Sequence, residues 1–215
     1  MFSAGILVFD EVEILDFAGP YEVLSTAARV HTRMAGAQPL FRCYLIAQDM
    51  RPVRARGGMK VLPDCVLPPA GDIDVLIVPG GDVSGVLGNR SLTDWIRAQA
   101  REAAITASVC TGAFLLADAG LLDGRSATTH WEDCDDLQAR RPQVRVRGDT
   151  PWVDCGKVVT SAGISAGIDM SLHLVERLAG RQLAQATAKQ MEYRWDSHGI
   201  DDTARTSDTS VFGAA

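Results

Sequence analysis

The stretch AITASVCTGAFLLADAG, residues 104–120, decides how the chain is expected to fold. The apolar run that ends at Val109 predicts a buried strand, and the residues after Cys110 have the spacing of a short buried helix. Gly120 is placed to end that helix in the left-handed conformation. A strand that turns directly into a helix is typical of the α/β class.

The rest of the chain repeats this alternation of strands and helices. Further strands are predicted at residues 3–9, 41–47 and 73–81, with antiparallel strands within 145–161. Further helices are predicted at residues 21–30, 94–102, 166–178 and 182–195. Gly57 and Gly58 lie between two alternating runs and predict a hairpin outside the main sheet. We therefore predict an α/β fold, with a doubly wound, mostly parallel sheet and helices on both faces.

Length and composition indicate one globular domain. The chain has 215 residues, 47% of them hydrophobic and 22% charged, with a formal net charge of -6. These values exclude a disordered or disulfide-scaffold protein, and the acidic balance gives no reason to expect nucleic acid or an anionic membrane as a partner. We predict a single domain over residues 1–195. The polar, aperiodic segment 196–215 is expected to be a tail that is mobile or docked on a partner subunit.

The N-terminus and the cysteines indicate a cytosolic protein without a metal. The chain begins with an apolar run but has no basic region before it, so it is expected to be a strand and not a signal peptide. The cysteines are single, with no CxxC pair, which is a poor pattern for a metal site or a disulfide framework. We therefore expect no cofactor. Four of them are expected to be structural, namely Cys43, Cys65, Cys134 and Cys155.

Cys110 is the strongest candidate for chemistry. A thiol between a buried strand and a helix lies beside unpaired backbone N–H groups, which favour the thiolate. This placement is the cysteine counterpart of the elbow that presents a nucleophilic serine at the edge of an α/β sheet. The alternative is that Cys110 is a small buried hydrophobic residue, which is the usual role of a free cysteine.

A second candidate is the glycine pair that follows the strand at residues 73–78. Gly80 and Gly81 are expected at the same carboxyl edge of the sheet as Cys110, where doubly wound folds bind ligands. The N–H of Gly81 could complete an oxyanion hole with Thr111. A plain tight turn is an equally good reading of the two glycines.

Asp16 and His130 are the candidates for proton transfer. Asp16 follows the first strand in the loop that also contains Gly19, and a carboxyl among apolar residues is expected to have a raised pKa. The alternative for Asp16 is a helix N-cap or an Asx turn. His130 is considered as a base for Cys110 and, with Gly19, as a substrate-binding residue. The other histidines, His31, His173 and His198, are expected to be structural.

The chain resembles the ThiJ/PfpI superfamily, which is class I glutamine amidotransferase-like, and within it the isocyanide hydratase subgroup. The resemblance rests on ILDFAGPYEVL at 14–24, IVPGG at 77–81, SVCTGAFLLADAGLLDGRSATTHW at 108–131 and TSAGISAGIDMSLHLVERL at 160–178. It implies a flavodoxin-like fold with a cysteine nucleophile elbow. It further implies that Cys110 is the nucleophile, that Asp16 is the acid/base residue and that Thr111 polarises substrate or water.

The activity that this resemblance implies is hydration of an isocyanide to an N-substituted formamide through a covalent thioimidate. No metal or organic cofactor is implied, and a homodimer is expected because members of the superfamily commonly pair near the active site. Three alternatives remain: a ligand sensor, a redox sensor, and a related cysteine hydrolase or glyoxalase. The resemblance extends to the sensing half of AraC-type regulators, although the residues after the last predicted helix are too few for a helix-turn-helix domain.

Overall fold

A mostly parallel sheet forms the centre of the protein. The computed structural model describes residues 1–36 and 38–203. The strands in these residues are β1 (Phe2–Leu7), β2 (Phe41–Ala47), β3 (Val53–Arg54), β4 (Lys60–Val61), β5 (Cys65–Val66), β6 (Val75–Val78), β7 (Ile105–Val109), β8 (Ser126–Ala127), β9 (Arg145–Val146), β10 (Trp152–Asp154), β11 (Val158–Ser161) and β12 (Ile200–Asp201). The helices are α1 (Ile14–Ala35), α2 (Arg90–Glu102), α3 (Gly112–Asp118), α4 (Cys134–Arg140), α5 (Ala166–Ala179) and α6 (Arg181–Gln190).

The order of strands in the main sheet is β12-β10-β11-β7-β6-β1-β2-β5. Neighbouring strands run parallel, except that β10 is antiparallel to β11. Along this order, the step from β1 to β2 leads towards the β5 edge of the sheet, and the step from β6 to β7 leads towards the β12 edge. Right-handed crossovers therefore place α1 and α2 on opposite faces of the sheet. The α/β fold class predicted from the sequence is confirmed.

The central strands are the most deeply buried part of the sheet. Every residue of β6 and β7 is buried, because these strands have neighbours on both sides and helices on both faces. Their carboxyl ends lead directly into Gly80 and Cys110. The predicted hairpin is present as β3 paired antiparallel with β4, in a separate two-stranded sheet. The rigid centre of the sheet thus fixes the two segments that were expected to carry chemistry.

Helix α1 begins earlier than the sequence predicted. The prediction placed its start at Tyr21 and put Asp16 in a loop, but the helix starts at Ile14, with the Glu13 side chain accepting from the Ile14 N–H at 3.1 Å. Pro20 therefore lies inside the helix, where its missing N–H leaves the carbonyl of Asp16 without its usual helical donor. The buried apolar stripe of α1 offsets this loss through packing.

The C-terminal segment includes a strand that was not predicted. Ile200 and Asp201 pair parallel with Val153 and Asp154 and extend the sheet beyond β10. A strand of two residues leaves no alternating pattern, so the sequence around it was taken as part of a polar tail. Residues 204–215 of that tail lie outside the described residues. No helix of the part described is long and apolar enough to span a bilayer.

Candidate active site

Cys110 occupies a strained elbow between β7 and α3. Its φ is +57°, in the left-handed region that a residue with a side chain seldom adopts, and it is 6% exposed. Its N–H donates to the carbonyl oxygens of Ser161 and Ala162 at 3.1 and 3.2 Å. Its carbonyl accepts from the Thr129 hydroxyl at 2.9 Å. These contacts from neighbouring segments hold the strained conformation.

Asp16 lies in the first turn of α1 and is fully buried. Its Oδ2 accepts from the Gly80 N–H at 3.1 Å, while Oδ1 has no partner at hydrogen-bonding distance among the described residues. The pKa of Asp16 is raised to about 7. Burial is the largest cause and the charge of Glu13 adds to it, while the Gly80 N–H, the Cys110 thiol and the Ile164 N–H lower it in part. A carboxyl with such a pKa can both take and give a proton near neutrality.

The thiol of Cys110 is held in its neutral form. Its pKa is raised to about 12, mainly by burial and in part by the nearby charge of Asp16. The N–H and hydroxyl of Thr111 lower this pKa, but they do not outweigh burial. The sequence prediction of a stabilised thiolate is therefore wrong for the resting site, because α3 is short and desolvation dominates. Nucleophilic attack by this sulfur needs a base, and the carboxyl of Asp16 is beside it.

Gly80 and Gly81 hold the two side chains next to Cys110. The N–H of Gly80 donates to Asp16, and the N–H of Gly81 donates to the Thr111 Oγ1 at 2.9 Å. The Thr111 hydroxyl in turn donates to the Gly81 carbonyl at 2.9 Å. The expectation that Gly80 and Gly81 offer free oxyanion donors is corrected, since both N–H groups already have acceptors. Their contribution in this structure is to position Asp16 and Thr111.

The glycines are required here by space. A Cβ on Gly80 would lie 2.4 Å from the Thr111 Oγ1 and 2.5 Å from the Thr111 N. Gly81 has φ +124°, and a Cβ there would lie 2.3 Å from the Glu11 carbonyl oxygen. Another residue would push the loop away from α1 or from the elbow. The PGG sequence is therefore part of the geometry that brings Asp16 and Cys110 together.

Gly19 and His130 lie against other parts of the chain. A Cβ on Gly19 would meet the Ile168 side chain at 3.1 Å, so this glycine allows α1 to approach α5 closely and is a packing residue. The His130 ring lies against Gly163, with Nδ1 3.4 Å from the Asp133 Oδ2. Its sequence neighbour Thr129 contacts Cys110, but the carboxyl that interacts with the thiol is that of Asp16.

Ile164 is a site residue that sequence reasoning missed. It has φ +53°, which is strained for a β-branched residue, and its N–H acts on the Asp16 carboxyl. The signal was available: β11 runs parallel to β7, so the loop after Ser161 emerges at the same edge of the sheet as Cys110. The sequence predicted antiparallel strands here, which holds for β10 and β11, but it did not predict that β11 also pairs parallel with β7.

The other titratable side chains do not form a metal centre in the described ranges. No three His, Cys, Asp or Glu side chains within residues 1–36 and 38–203 are grouped as ligands. A cavity of about 300 Å³ opens at the carboxyl ends of β1 and β2, beside Phe9, Gln48 and Val86. Cys110 and Asp16 are not among its lining residues. The two titratable groups that meet at the elbow are the Cys110 thiol and the Asp16 carboxyl.

Comparison with known proteins places this arrangement in a family. Residues 3–177 match the DJ-1/PfpI family. The chain is 36% identical over 205 residues to isonitrile hydratase from Pseudomonas putida, covering 93% of this chain and 83% of that protein. It is 35% identical over 184 residues to the HTH-type transcriptional regulator CdhR from Pseudomonas aeruginosa, covering 86% of this chain. It spans about half the length of that regulator, at 53%.

Solved structures agree with the fold. An AraC family transcriptional regulator from Pseudomonas putida superposes with a TM-score of 0.77 at 22% identity, covering 89% of this chain and 100% of that one. Drosophila melanogaster DJ-1beta superposes with a TM-score of 0.73 at 21% identity, covering 90% and 99% of the two chains. With the sequence match over most of its length, the chain belongs to the DJ-1/PfpI family.

Proposed function

We propose that this protein hydrates an isocyanide to an N-substituted formamide. The observation that carries the proposal is the pairing of a buried carboxyl, whose pKa is about 7, with a neutral thiol on a strained elbow. The similarity to an isonitrile hydratase over 93% of the chain supports the same reaction class. An aspartate and a cysteine are the two groups this reaction needs: a proton carrier and a nucleophile.

In the first half of the reaction, the thiol adds to the terminal carbon of the isocyanide. The Asp16 carboxylate takes the proton from the Cys110 sulfur while the sulfur forms a bond to carbon. The carbon, which now carries an electron pair, takes that proton back from Asp16. The result is a thioimidate, R–N=CH–S–Cys110, and Asp16 is again a carboxylate. A pKa near 7 suits Asp16 to both transfers.

In the second half, water replaces the sulfur. Asp16 takes a proton from water as the oxygen attacks the thioimidate carbon, and the nitrogen gains a proton from Asp16. The tetrahedral intermediate then collapses, the carbon–sulfur bond breaks, and the proton of the hydroxyl returns to Cys110. The product is R–NH–CHO and the sum is one isocyanide plus one water. The N–H of Thr111, next to the sulfur, is positioned to polarise the reacting group.

The low exposure of Cys110 fits a slender electrophile. The sulfur belongs to a side chain that is 6% exposed, so a bulky carbonyl compound has little access to it. The isocyanide group is linear and only two atoms long, with the reactive carbon at its tip. The access of the site thus favours an isocyanide over the amides and α-oxoaldehydes of the hydrolase and glyoxalase alternatives.

The test is an assay of formamide formation from a simple aryl isocyanide, with Cys110→Ser beside the wild type. We expect formamide from the wild type and none above background from the variant. Cys43→Ser is the matched control, because burial also raises the pKa of that thiol, but it lies on β2 and pairs with Ala4 of β1. Equal turnover by wild type and Cys110→Ser would contradict the proposal.

A ligand-sensing role is the second candidate. It is favoured by the match to transcriptional regulators, of which this chain covers about half. Under this alternative, isocyanide is not turned over, and small molecules raise the melting temperature in a manner that depends on Cys110 or Asp16. Thermal shift measured beside the hydration assay separates the two roles.

We also propose that the protein is a homodimer. Trp131 is 73% exposed and lies beside His130, and Ile164 is exposed next to the Asp16 carboxyl, so two large apolar side chains near the site face solvent. A second copy would cover them. Light scattering that gives the mass of one chain, 23.1 kDa, would contradict this assembly.

A further inference from the structure

The C-terminal strand is fitted closely onto the sheet. Gly199 lies directly under the Trp152 ring, and a Cβ there would come within 2.1 Å of a ring atom, so only glycine fits. Strand β12 follows, and the Asp202 N–H then donates to the Asp154 carbonyl at 2.8 Å. This contact delivers the Asp202 side chain to the interior of the protein, where it is 8% exposed.

The carboxylate of Asp202 links three segments. Its Oδ2 accepts from the Ser126 hydroxyl at 2.6 Å and lies 3.7 Å from the Arg145 Nη2. The Arg145 Nε also donates to the Ser126 Oγ at 3.4 Å. Short hydrogen bonds to a carboxylate are among the stronger ones in proteins. Strand β12 is therefore tied to β8 and β9 by a charged group and not only by backbone pairing.

Ser126 begins the segment that supports the nucleophile. Two residues later, the Thr128 N–H donates to the Thr160 hydroxyl at 2.9 Å. The next residue is Thr129, whose hydroxyl donates to the Cys110 carbonyl at 2.9 Å. That carbonyl also accepts from the Ala113 N–H in the first turn of α3, so it is part of the elbow. The position of Ser126 is thus passed along a short stretch of chain to Cys110.

We propose that Asp202 is a positioning residue for Cys110. By holding Ser126, it fixes the segment 126–129 and with it the contact of Thr129 with the elbow. Asp202 does not touch the reacting atoms and acts through Thr129. Its kinetic consequence rests on the proposed isocyanide hydration, but its effect on the Cys110 thiol does not.

The kinetic test compares Asp202→Ala with Asp202→Asn. Alanine removes the acceptor of the Ser126 hydroxyl, so kcat is expected to fall about tenfold with KM within about twofold of wild type. Asparagine keeps an acceptor oxygen and is expected to restore kcat to within about threefold of wild type. Asp201→Ala is the matched control, since that side chain is exposed on the same strand. An equal loss in Asp202→Ala and Asp201→Ala would overturn the proposal.

The second readout is the rate at which iodoacetamide alkylates Cys110, followed by peptide mass spectrometry with Cys43 on β2 as the internal reference. Freeing segment 126–129 is expected to expose the sulfur and to raise this rate at least about threefold in Asp202→Ala, with Cys43 unchanged. Ser126→Ala cuts the same hydrogen bond from the other side and is expected to have the same effect, should Asp202→Ala not fold.

The two readouts separate the two proposals. A wild type without turnover refutes the isocyanide hydration, while a selective rise in Cys110 alkylation in either variant still supports the positioning role. Alkylation of Cys110 at the wild-type rate in folded Asp202→Ala and Ser126→Ala overturns that role, whatever the turnover.

Discussion

Asp16 and Asp154 are the two most deeply buried carboxylates among the described residues, and their surroundings differ. Asp154 accepts from His173 at 2.7 Å, from Arg177 at 3.0 Å and from the Gly156 N–H at 2.8 Å. Asp16 accepts one hydrogen bond of ordinary length, from the Gly80 N–H, and faces a thiol.

The difference shows how one fold uses the same side chain for two purposes. Arg177 and His173, both on α5, contact the Asp154 carboxylate. The arginine compensates its charge, and the contacts join β10 to α5. Within residues 1–36 and 38–203 no cation contacts Asp16, and its pKa is raised to about 7, mainly by burial. A carboxyl with few partners costs stability and gains the ability to exchange protons. Counting the partners of a buried acid is thus a guide to which acid carries chemistry.

The largest expected effect follows from replacing Asp16, the buried acid without a cationic partner. Asp16→Asn keeps the shape and the acceptor for Gly80 but cannot carry a proton. The kcat/KM for an aryl isocyanide is expected to fall about a thousandfold, while the far-ultraviolet circular dichroism stays that of wild type. Turnover within tenfold of wild type would show that another group is the base.

Replacing Asp154, the acid that contacts Arg177 and His173, is expected to lower the stability of the protein instead. Asp154→Ala leaves Arg177 and His173 without their buried partner, and the free energy of unfolding is expected to fall by about 3 kcal/mol. Urea denaturation measures it. The midpoint of the pH profile of kcat/KM should not move, since Asp154 does not face Cys110. A shift of that midpoint would contradict the division between the two acids.

The glycines that donate to the two acids offer a finer comparison. A Cβ on Gly80 would clash with the Thr111 backbone, so Gly80→Ala is expected to lower the free energy of unfolding by about 2 kcal/mol and to lower kcat/KM as well. Gly156 has φ +83°, and Gly156→Ala is expected to cost about 1 kcal/mol through backbone strain, with kcat/KM unchanged. Urea denaturation measures the free energies of unfolding and steady-state kinetics measures kcat/KM. A larger loss of kcat/KM in Gly156→Ala than in Gly80→Ala would contradict the comparison.

The pH dependence is the mildest way to test the comparison. Asp16 acts as a base only when it is ionised, so kcat/KM is expected to rise about tenfold per pH unit up to about 7 and then level off. The pKa of Asp16 is raised on folding from 3.8 to about 7, so its contribution to stability is present below about 4 and is lost as pH rises through about 7.

Asp16→Asn removes the part of the pH dependence of stability that comes from this carboxyl. Between pH 4 and pH 8, wild type is expected to lose up to about 4 kcal/mol relative to the variant. Urea denaturation at the two pH values measures the difference. Parallel behaviour of the two proteins would mean that Asp16 has an ordinary pKa in the folded state.

Much of the fold could be read from the sequence because it depends on local pattern. The bounds of β2 were predicted as found, and the helix after Gly163 and the hairpin at Gly57 were predicted within a residue or two. These elements have clear periodicity or turn glycines. The start of α1 was missed, since Gly19 and Pro20 resemble helix breakers and only tertiary packing keeps them helical.

Three members of the candidate site and the raised pKa of Asp16 were predicted from the sequence, but the neutral state of the thiol was not. The edge rule for parallel strands brings Asp16, Gly80 and Cys110 together, and the structure does so. The protonation of the thiol depends on burial and on the distance to Asp16, neither of which a sequence displays. The same holds for Ile164 and Asp202, whose roles arise from backbone conformation and from a strand of two residues.

The site draws its contacts from segments that are far apart in the chain. Gly80 is 64 residues from the acid it binds, and Cys110 and Ile164 are farther still. Closing such long loops costs entropy before the contacts are made. The raised pKa of Asp16 therefore exists only once the centre of the sheet is assembled. Titration of this single carboxyl would serve as a probe of complete folding. A fragment that contains Asp16 and the elbow but lacks Ile164 would not have the full set of contacts that sets its pKa.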